Sequence, residues 1–180
     1  MMKRYFLLLC LAIMLGQFSA RAQAPLKVNV DLVKSTITIG NVLFTASSTI
    51  EDYEKLLGKA DRIEQKRGID QYFVYDKLGI SLSLLDDDSG IVSEIFFTYL
   101  YDGDIKIAKE VYKGTLAVNN QVVSGRTTHQ EMAKLAKIEL VEVMNGYFIT
   151  PKRSLNILMY YPEGSYKELK QYAFSFASAK

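Results

Sequence analysis

The fold of this chain can be inferred from Thr36–Leu57, which reads TITIGNVLFTASSTIEDYEKLL, because the same pattern returns at Thr115–Ala136 as TLAVNNQVVSGRTTHQEMAKLA. The two stretches align without a gap at a constant shift of 79 residues (115 − 36). Similarity at a fixed shift is the mark of an internal repeat. The sequence therefore predicts two pseudo-equivalent units in tandem, residues 23–106 and 107–180.

Each copy predicts a β-hairpin followed by a short helix. Alternating residues at Thr36–Ile39 are interrupted by Gly40-Asn41, and the copy turns at Asn119-Asn120; both pairs suit a tight turn. Ser48 precedes Glu51 by three residues, and Thr127 precedes Gln130 in the same way. This spacing predicts a capping box at the start of each helix. We expect the first strand of the chain to begin at about Leu32.

Beyond the helices the shift between the copies changes to 75, which aligns Tyr72 with Tyr147 and Leu82 with Ile157. The four missing residues predict that the hairpin Arg62–Tyr75 is longer by two residues per arm than its copy, which keeps the facing of every side chain. Apolar alternation then predicts an antiparallel meander of about four strands, ending in Ile91–Tyr101 in the first unit. The predicted fold class is α+β, each unit combining a hairpin, one short helix and a meander. The sequence leaves open whether the units share one sheet or pack face to face.

The N-terminus has the three parts of a secretory signal peptide. Lys3 and Arg4 precede the apolar run Tyr5–Gly16, and small residues flank a cleavage point near Ala22. Cleavage of residues 1–22 would change the formal charge from +2 to −1, since three of 22 basic residues are lost against 20 acidic ones. It would also remove the one cysteine of the chain. We therefore expect a periplasmic or secreted protein without disulfides or a further membrane span, and a near-neutral chain does not favour nucleic acid as a partner.

Two stretches of the first unit resemble a known group of sequences. Leu56–Arg62 (LLGKADR) and the later Tyr72–Ile80 (YFVYDKLGI) resemble an uncharacterised family of exported bacterial domains with an LGxPxR…YxYDxLGI signature. The helix-then-meander unit is also similar to modules of β-lactamase-inhibitor-like and outer-membrane-assembly lipoproteins. The first resemblance implies a fold, and the second implies protein–protein binding. Neither implies a catalytic residue.

Two positions could in principle carry chemistry. His129 is the one histidine in the chain, and a single histidine on the apolar stripe of a helix favours a structural role over a catalytic pair or a metal site. Asp86–Gly90 has oxygen ligands and a turn glycine, but it lacks the spacing of a calcium loop and its closing glutamate. The sequence therefore predicts no enzyme and no cofactor or metal, and it leaves open whether the Asp86–Asp88 turn binds an ion.

Binding surfaces are the stronger candidates. Tyrosines recur on the predicted meander strands, and amphipathic rings suit a sheet face that meets a partner, as well as one that is half covered. The long hairpin differs in length and charge from its copy, so a specific function could have been added there. The candidate partner-binding residues are Arg62, Glu64, Lys66, Arg67, Tyr75, Asp76, Tyr99 and Tyr101.

The sequence favours an exported, non-enzymatic binding or adaptor protein whose partner is another envelope or secreted protein. A structural component of the cell envelope is the first alternative, and a hydrolytic enzyme is the second. The ligand, the biological process and the oligomeric state stay open.

Overall fold

The computed structural model describes residues 25–66, 70–85, 88–151 and 153–177. The predicted signal peptide and the candidate residues Arg67, Asp86 and Asp87 lie outside these ranges. Within them the chain forms β1 (Lys27–Asp31), β2 (Thr36–Ile39), β3 (Val42–Phe44), α1 (Ile50–Leu57), β4 (Arg62–Lys66), β5 (Asp70–Tyr75), β6 (Ile80–Leu84), β7 (Val92–Thr98), β8 (Thr115–Val118), β9 (Gln121–Val123), α2 (His129–Ala136), β10 (Val141–Met144), β11 (Tyr147–Ile149), β12 (Leu155–Tyr160) and β13 (Gln171–Phe176).

The smaller sheet has five strands in the order β3-β2-β1-β8-β9. Its central strand β1 pairs antiparallel with β2 and parallel with β8, so it joins the two predicted hairpins. The expected start near Leu32 was wrong. Val28 and Val30 are buried and alternate with more exposed neighbours, which is the period-two pattern of a strand.

The larger sheet has eight strands in the order β10-β11-β12-β13-β7-β6-β5-β4, all neighbours antiparallel. We call β4–β7 its first half and β10–β13 its second half. The halves meet where β7 pairs with β13, and the strand order is symmetric about this pair. Both sheets therefore contain strands from both predicted units.

One continuous core lies between the two sheets and includes both helices. We call the side of the eight-stranded sheet that faces this core its inner face, and the opposite side its outer face. The core takes Ile39 from the small sheet, Tyr53 and Met132 from the helices, and Phe97 and Phe174 from the centre of the large sheet. Phe44 of the first hairpin stacks on Tyr53 at 4.0 Å between ring centres, which fixes α1 against that hairpin.

The predicted α+β class is wrong. Strands hold 42% of the described residues and helices 11%, so the fold is β-rich. The physical reason is that each helix has eight residues and packs into the core between the sheets, while strand pairing across both sheets provides the framework.

Both capping boxes lie one residue later than predicted. The Thr49 N–H donates to Asp52 at 3.1 Å, and the Thr128 N–H donates to Glu131 at 2.8 Å. The hydroxyls of Ser48 and Thr127 instead accept the N–H of the residue three positions earlier, at 2.9 and 3.0 Å. The side chain needed by the first helical turn is thus supplied by the second hydroxyl residue of each pair.

The meander equivalences are partly displaced. Phe73 pairs with Leu82, while its counterpart Phe148 pairs with Met159, so Leu82 corresponds to Met159 and not to Ile157. The extra two residues lie in the longer connection between β11 and β12. The hairpin lengths agree with expectation, because β4 and β5 pair at five positions and β10 and β11 at three.

The strand predicted to reach Tyr101 ends at Thr98. Residues 99–114, the connecting segment, then run irregularly from β7 to β8 and include the predicted unit boundary. They pass so close to the β5–β6 turn that a Cβ on Gly79 would lie 2.3 Å from the Tyr112 nitrogen. With a φ of +72°, this position requires glycine on two grounds.

Candidate functional site

Three of the predicted binding residues form an ion-pair network at the base of the long hairpin. Arg62 donates from Nε and Nη2 to the two Asp76 carboxylate oxygens at 2.9 and 3.2 Å, and from Nη1 to Glu64 at 2.8 Å. It also donates to the backbone carbonyls of Ile105 and Ile107. The arrangement fastens the connecting segment to the first half of the large sheet.

The surroundings shift the pKa values of this pair in opposite directions. Burial alone would raise the pKa of the Asp76 carboxyl, but hydrogen bonds from Arg62 and from the Lys109 N–H more than offset it, so the pKa lies below its ordinary value. The same bond to Asp76 raises the pKa of Arg62. Both side chains are about four-fifths buried, at 19% exposure each, so they hold structure together at this point and leave little charge for a partner.

The other predicted residues are spread over the molecule. Tyr75 is buried in the core at 1% exposure. Tyr99 packs its ring over the backbone of Gly125 and edge-on to Tyr172, with ring centres 5.7 Å apart. Tyr101 is exposed in the connecting segment. Lys66 ends β4 beside its pairing partner Asp70. The structure therefore does not bring together the seven candidates that lie within the described residues.

A different set of residues converges on the outer face. Residues directly opposite each other in antiparallel strands share a face, and the pairing places one row across six strands: Ile149, Leu158, Ala173, Phe96, Ser81 and Val74. A parallel row contains Tyr147, Tyr160, Gln171 and Thr98. The apolar residues of these two rows, together with Tyr72 and Ala108, form a second apolar cluster that is separate from the main core.

The connecting segment covers the first half of this outer face. Ala108 is fully buried in the outer cluster. It comes from the connecting segment, whereas the other described members of this cluster lie on strands of the large sheet. The Lys106 ammonium lies 4.8 Å from the centre of the Tyr72 ring and 3.5 Å from its hydroxyl. A lysine over a tyrosine face is a cation–π contact.

The second half presents aromatic and aliphatic side chains instead. Tyr147 and Tyr160 stack with ring centres 4.6 Å apart and an angle of 18° between their planes. Beside them, the edge strand β10 exposes Val141 at 39%, Val143 at 52% and Met144 at 66%. Val141 and Met144 are paired with Ile149 and Tyr147, so they extend the outer face to the edge of the sheet.

Buried polar atoms on the outer face lack partners within the described part of the chain. They are Ser81 Oγ, Thr98 Oγ1 and Gln171 Oε1, in side chains that are at most 6% exposed. An unpaired buried polar atom is costly, and it often marks a place where a ligand or water completes the bonding. Gln171 and Thr98 lie in the same row as the stacked tyrosines.

Electrostatics link the tyrosines to Glu94 of β7. Burial raises the pKa of Tyr147, and the Glu94 charge adds to the rise. Burial likewise raises the pKa of Tyr160, with further contributions from Tyr147, Glu94 and Tyr72. The phenols therefore remain neutral, and a carboxylate lies near enough to favour a positive charge on this face.

His129 lies in a separate aromatic cluster on the opposite side of the second half. Its ring stacks on Phe148 at 4.0 Å, with Tyr161 and Tyr166 edge-on at 6.2 and 6.0 Å. Its Nδ1 is buried without a partner among the residues described, and burial lowers the pKa of the imidazole, which nearby Glu142 opposes. This packing agrees with the structural role that the sequence favoured for His129.

Sequence reasoning noted tyrosines on the meander strands, but the contacts that it named were Tyr75, Tyr99 and Tyr101. It did not single out Tyr147 and Tyr160, and it missed Lys106, Glu94 and the buried polar atoms. One signal was available: β12 contains Ile157, Leu158, Met159 and Tyr160 in succession, and a run without alternation indicates a strand that is apolar on both faces. That pattern points to an apolar outer face. Within the described ranges there is no group of three or more metal-ligating His, Cys, Asp or Glu residues. The described helices include none long and apolar enough to cross a membrane.

The structure thus defines a β-rich protein of two sheets around one core, with a tyrosine-bearing outer face as its candidate interface. The chain belongs to a family described as a domain of unknown function (DUF7738), whose model matches residues 29–133. The match includes most of the five-stranded sheet and the first half of the large sheet, and it ends within α2. No curated protein matches the sequence.

A search of solved structures finds an extracellular protein containing a SCP domain from Bacillus anthracis str. Ames. It is 11% identical, with a TM-score of 0.45, and the match covers 72% of this chain and 43% of that protein. The chain therefore spans less than half of that structure.

Proposed function

We propose that this protein is an exported, non-catalytic binding module that contacts another protein through the second half of its outer face. The observation that supports the proposal is the difference in coverage between the two halves. The connecting segment packs on the first half through Lys106 and Ala108, whereas Val141 and Met144 leave an apolar margin on the second.

The composition of this margin suits an interface. Tyr and Met are enriched where proteins meet, because they provide large contact areas that tolerate partial exposure to water. Among the described strands, none pairs with the outer side of the edge strand β10, and β10 carries one charged residue, Glu142. An edge with so few charges is open to pairing with another strand.

Two features of the sequence support export and protein binding. The first 22 residues have the charge and apolar pattern of a signal peptide. The resemblance to inhibitor-like and assembly-lipoprotein modules implies protein–protein contacts. The long hairpin is less suitable as the contact, since Arg62 and Asp76 bind the connecting segment.

Site-specific cross-linking tests the proposal. A photo-cross-linking amino acid replaces Met144, and in a control protein it replaces Val33, which is 85% exposed and distant in the fold. Expressed in a host that exports the protein, the variant at Met144 should cross-link to a discrete partner that the control does not capture.

Adding Val141→Asp to the first protein sharpens the result, because a charge at a sheet edge discourages strand pairing. The cross-link should then fall at least several-fold while the protein remains folded. Equal cross-linking from both positions, or a product that persists with Val141→Asp, would contradict the proposed surface.

A further inference from the structure

The first half of the outer face shows how this sheet binds a peptide. The segment Ile105–Ala108 reads Ile-Lys-Ile-Ala, and its backbone carbonyls at Ile105 and Ile107 accept hydrogen bonds from Arg62. Its lysine lies over the Tyr72 ring, and its alanine is fully buried in the outer cluster. The occupant is thus a non-helical peptide with a basic side chain between apolar ones.

From this we infer that the second half of the outer face binds a segment of the partner with the same chemistry: a short non-helical peptide in which a lysine or arginine is flanked by small or aliphatic residues. This inference rests on the proposed function and specifies the partner of the same surface.

The second half repeats the ring without the cation. Tyr147 occupies the position in β11 that Tyr72 occupies in β5, and Tyr160 stacks against one face of its ring; we call this pair of tyrosines the platform. In the described part of the chain, the cation–π contact of a lysine with a tyrosine ring is that of Lys106 with Tyr72, in the first half.

The charge of this surface agrees with a cationic peptide. The rings present negative π faces to a cation, and the Glu94 carboxylate acts on both tyrosines.

The test uses a capped peptide with the sequence of residues 103–108, Gly-Asp-Ile-Lys-Ile-Ala, which contains one basic residue. Its analogue has norleucine in place of lysine, which keeps the length and removes the charge. Titration of the full folded protein, followed by NMR, should show shifts at Tyr147, Ile149 and Tyr160. The lysine peptide should bind about tenfold more tightly than the norleucine peptide, within the range of a partly desolvated cation–π contact.

A substitution in the platform identifies the source of that preference. Tyr147→Leu should abolish the tenfold difference, whereas Tyr101→Leu, at an exposed tyrosine of the connecting segment, should preserve it. Equal affinity of the two peptides, absence of binding by either, or a lysine preference that survives Tyr147→Leu would each overturn the inference. A partner that still cross-links from Met144 in those cases would leave the proposed function standing, which separates the two failures.

Discussion

The two halves of the large sheet share a strand plan but not an outer surface. In the first half, Arg62 and Asp76 hold the connecting segment on the sheet. Two residues of that segment, Lys106 and Ala108, pack against the outer face. In the second half, Val141 stands at the position of Arg62, and aromatic side chains form the surface. The comparison teaches that a segment between two similar units can cover the outer face of one of them and leave the other for a partner.

The strongest test of this comparison concerns the passage of the connecting segment over the β5–β6 turn. Gly79→Ala should lower the free energy of unfolding by about 3 kcal/mol, because the new Cβ meets the Tyr112 backbone and φ is positive. Gly40→Ala is the matched control, since its φ is +60° but no atom lies within 4 Å of the added Cβ. It should cost about 1 kcal/mol. Equal losses of unfolding free energy in chemical denaturation would show that the close contact between Gly79 and the Tyr112 backbone does not contribute to stability.

The Arg62 network should matter less than the turn but more than any exposed pair. Arg62→Met keeps the aliphatic stem and removes the donors, so Asp76 is left part-buried without its ion pair. We expect a loss of about 2 kcal/mol and faster hydrogen exchange in residues 105–108. Val141→Thr, at the corresponding position of the second half, should change stability by about 0.5 kcal/mol or less. Equal effects of the two substitutions on stability would contradict the proposed difference between the halves.

The halves should also differ in their response to pH, because α2 begins with His129 where α1 begins with Ile50. Burial lowers the pKa of the folded imidazole below its ordinary 6.5. The unfolded chain therefore binds more protons near that pH, so stability from this group is complete above about pH 7 and is lost as the pH falls.

Denaturation midpoints should accordingly fall between pH 7 and 5 in the wild type, and less so in His129→Phe, which retains a ring against Phe148. The Glu142 carboxyl contributes in a lower window, since hydrogen bonds from Gly146 and Tyr166 hold its pKa below 4.5. An identical pH profile for the two proteins would show that burial does not lower the pKa of His129.

The smallest expected effect concerns Lys106. Lys106→Met should cost about 0.5 kcal/mol through loss of the cation–π contact with Tyr72. A double-mutant cycle with Tyr72→Leu isolates the pairwise energy. Lys34→Met, at a lysine that is 78% exposed and paired with Asp31, should be nearly neutral. If the double-mutant cycle gives no coupling energy between Lys106 and Tyr72, this contact is a poor guide to the chemistry of the partner.

Local structure could be predicted where a residue type is tied to one geometry. Gly40 and the Asn119-Asn120 pair adopt positive φ in the turns of the two hairpins, because glycine has no Cβ and asparagine tolerates this conformation. The helices begin one residue from the predicted caps, because adjacent hydroxyls at Ser48 and Thr49 offer two equivalent starts. Such ambiguity is local and shifts an element without changing it.

Strand partners and the fold class could not be obtained from the same patterns. Alternation shows that Val28 and Val30 suit a strand, but it does not show that β1 pairs with β8 across the unit boundary. The ion-pair network of Arg62 could not be predicted for a related reason: charge at Arg62 and Asp76 suggested exposure, while the carbonyls that Arg62 contacts come from the distant residues Ile105 and Ile107. Contacts between remote parts of the chain leave little trace in either segment alone.

The central place of β13 has a consequence for the order in which the protein can form. It is the last strand in the described part of the chain, and it lies between β12 and β7, where it joins the two halves of the sheet. A chain that emerges from its N-terminus onward therefore presents β7 and β12 as unpaired edges until Gln171–Phe176 has been released. Pairings so distant in sequence form slowly, and open edges of this kind aggregate. The eight-stranded sheet can be completed only after β13 has been synthesised, and a protein shortened before β13 should accumulate as aggregate instead of as a smaller domain.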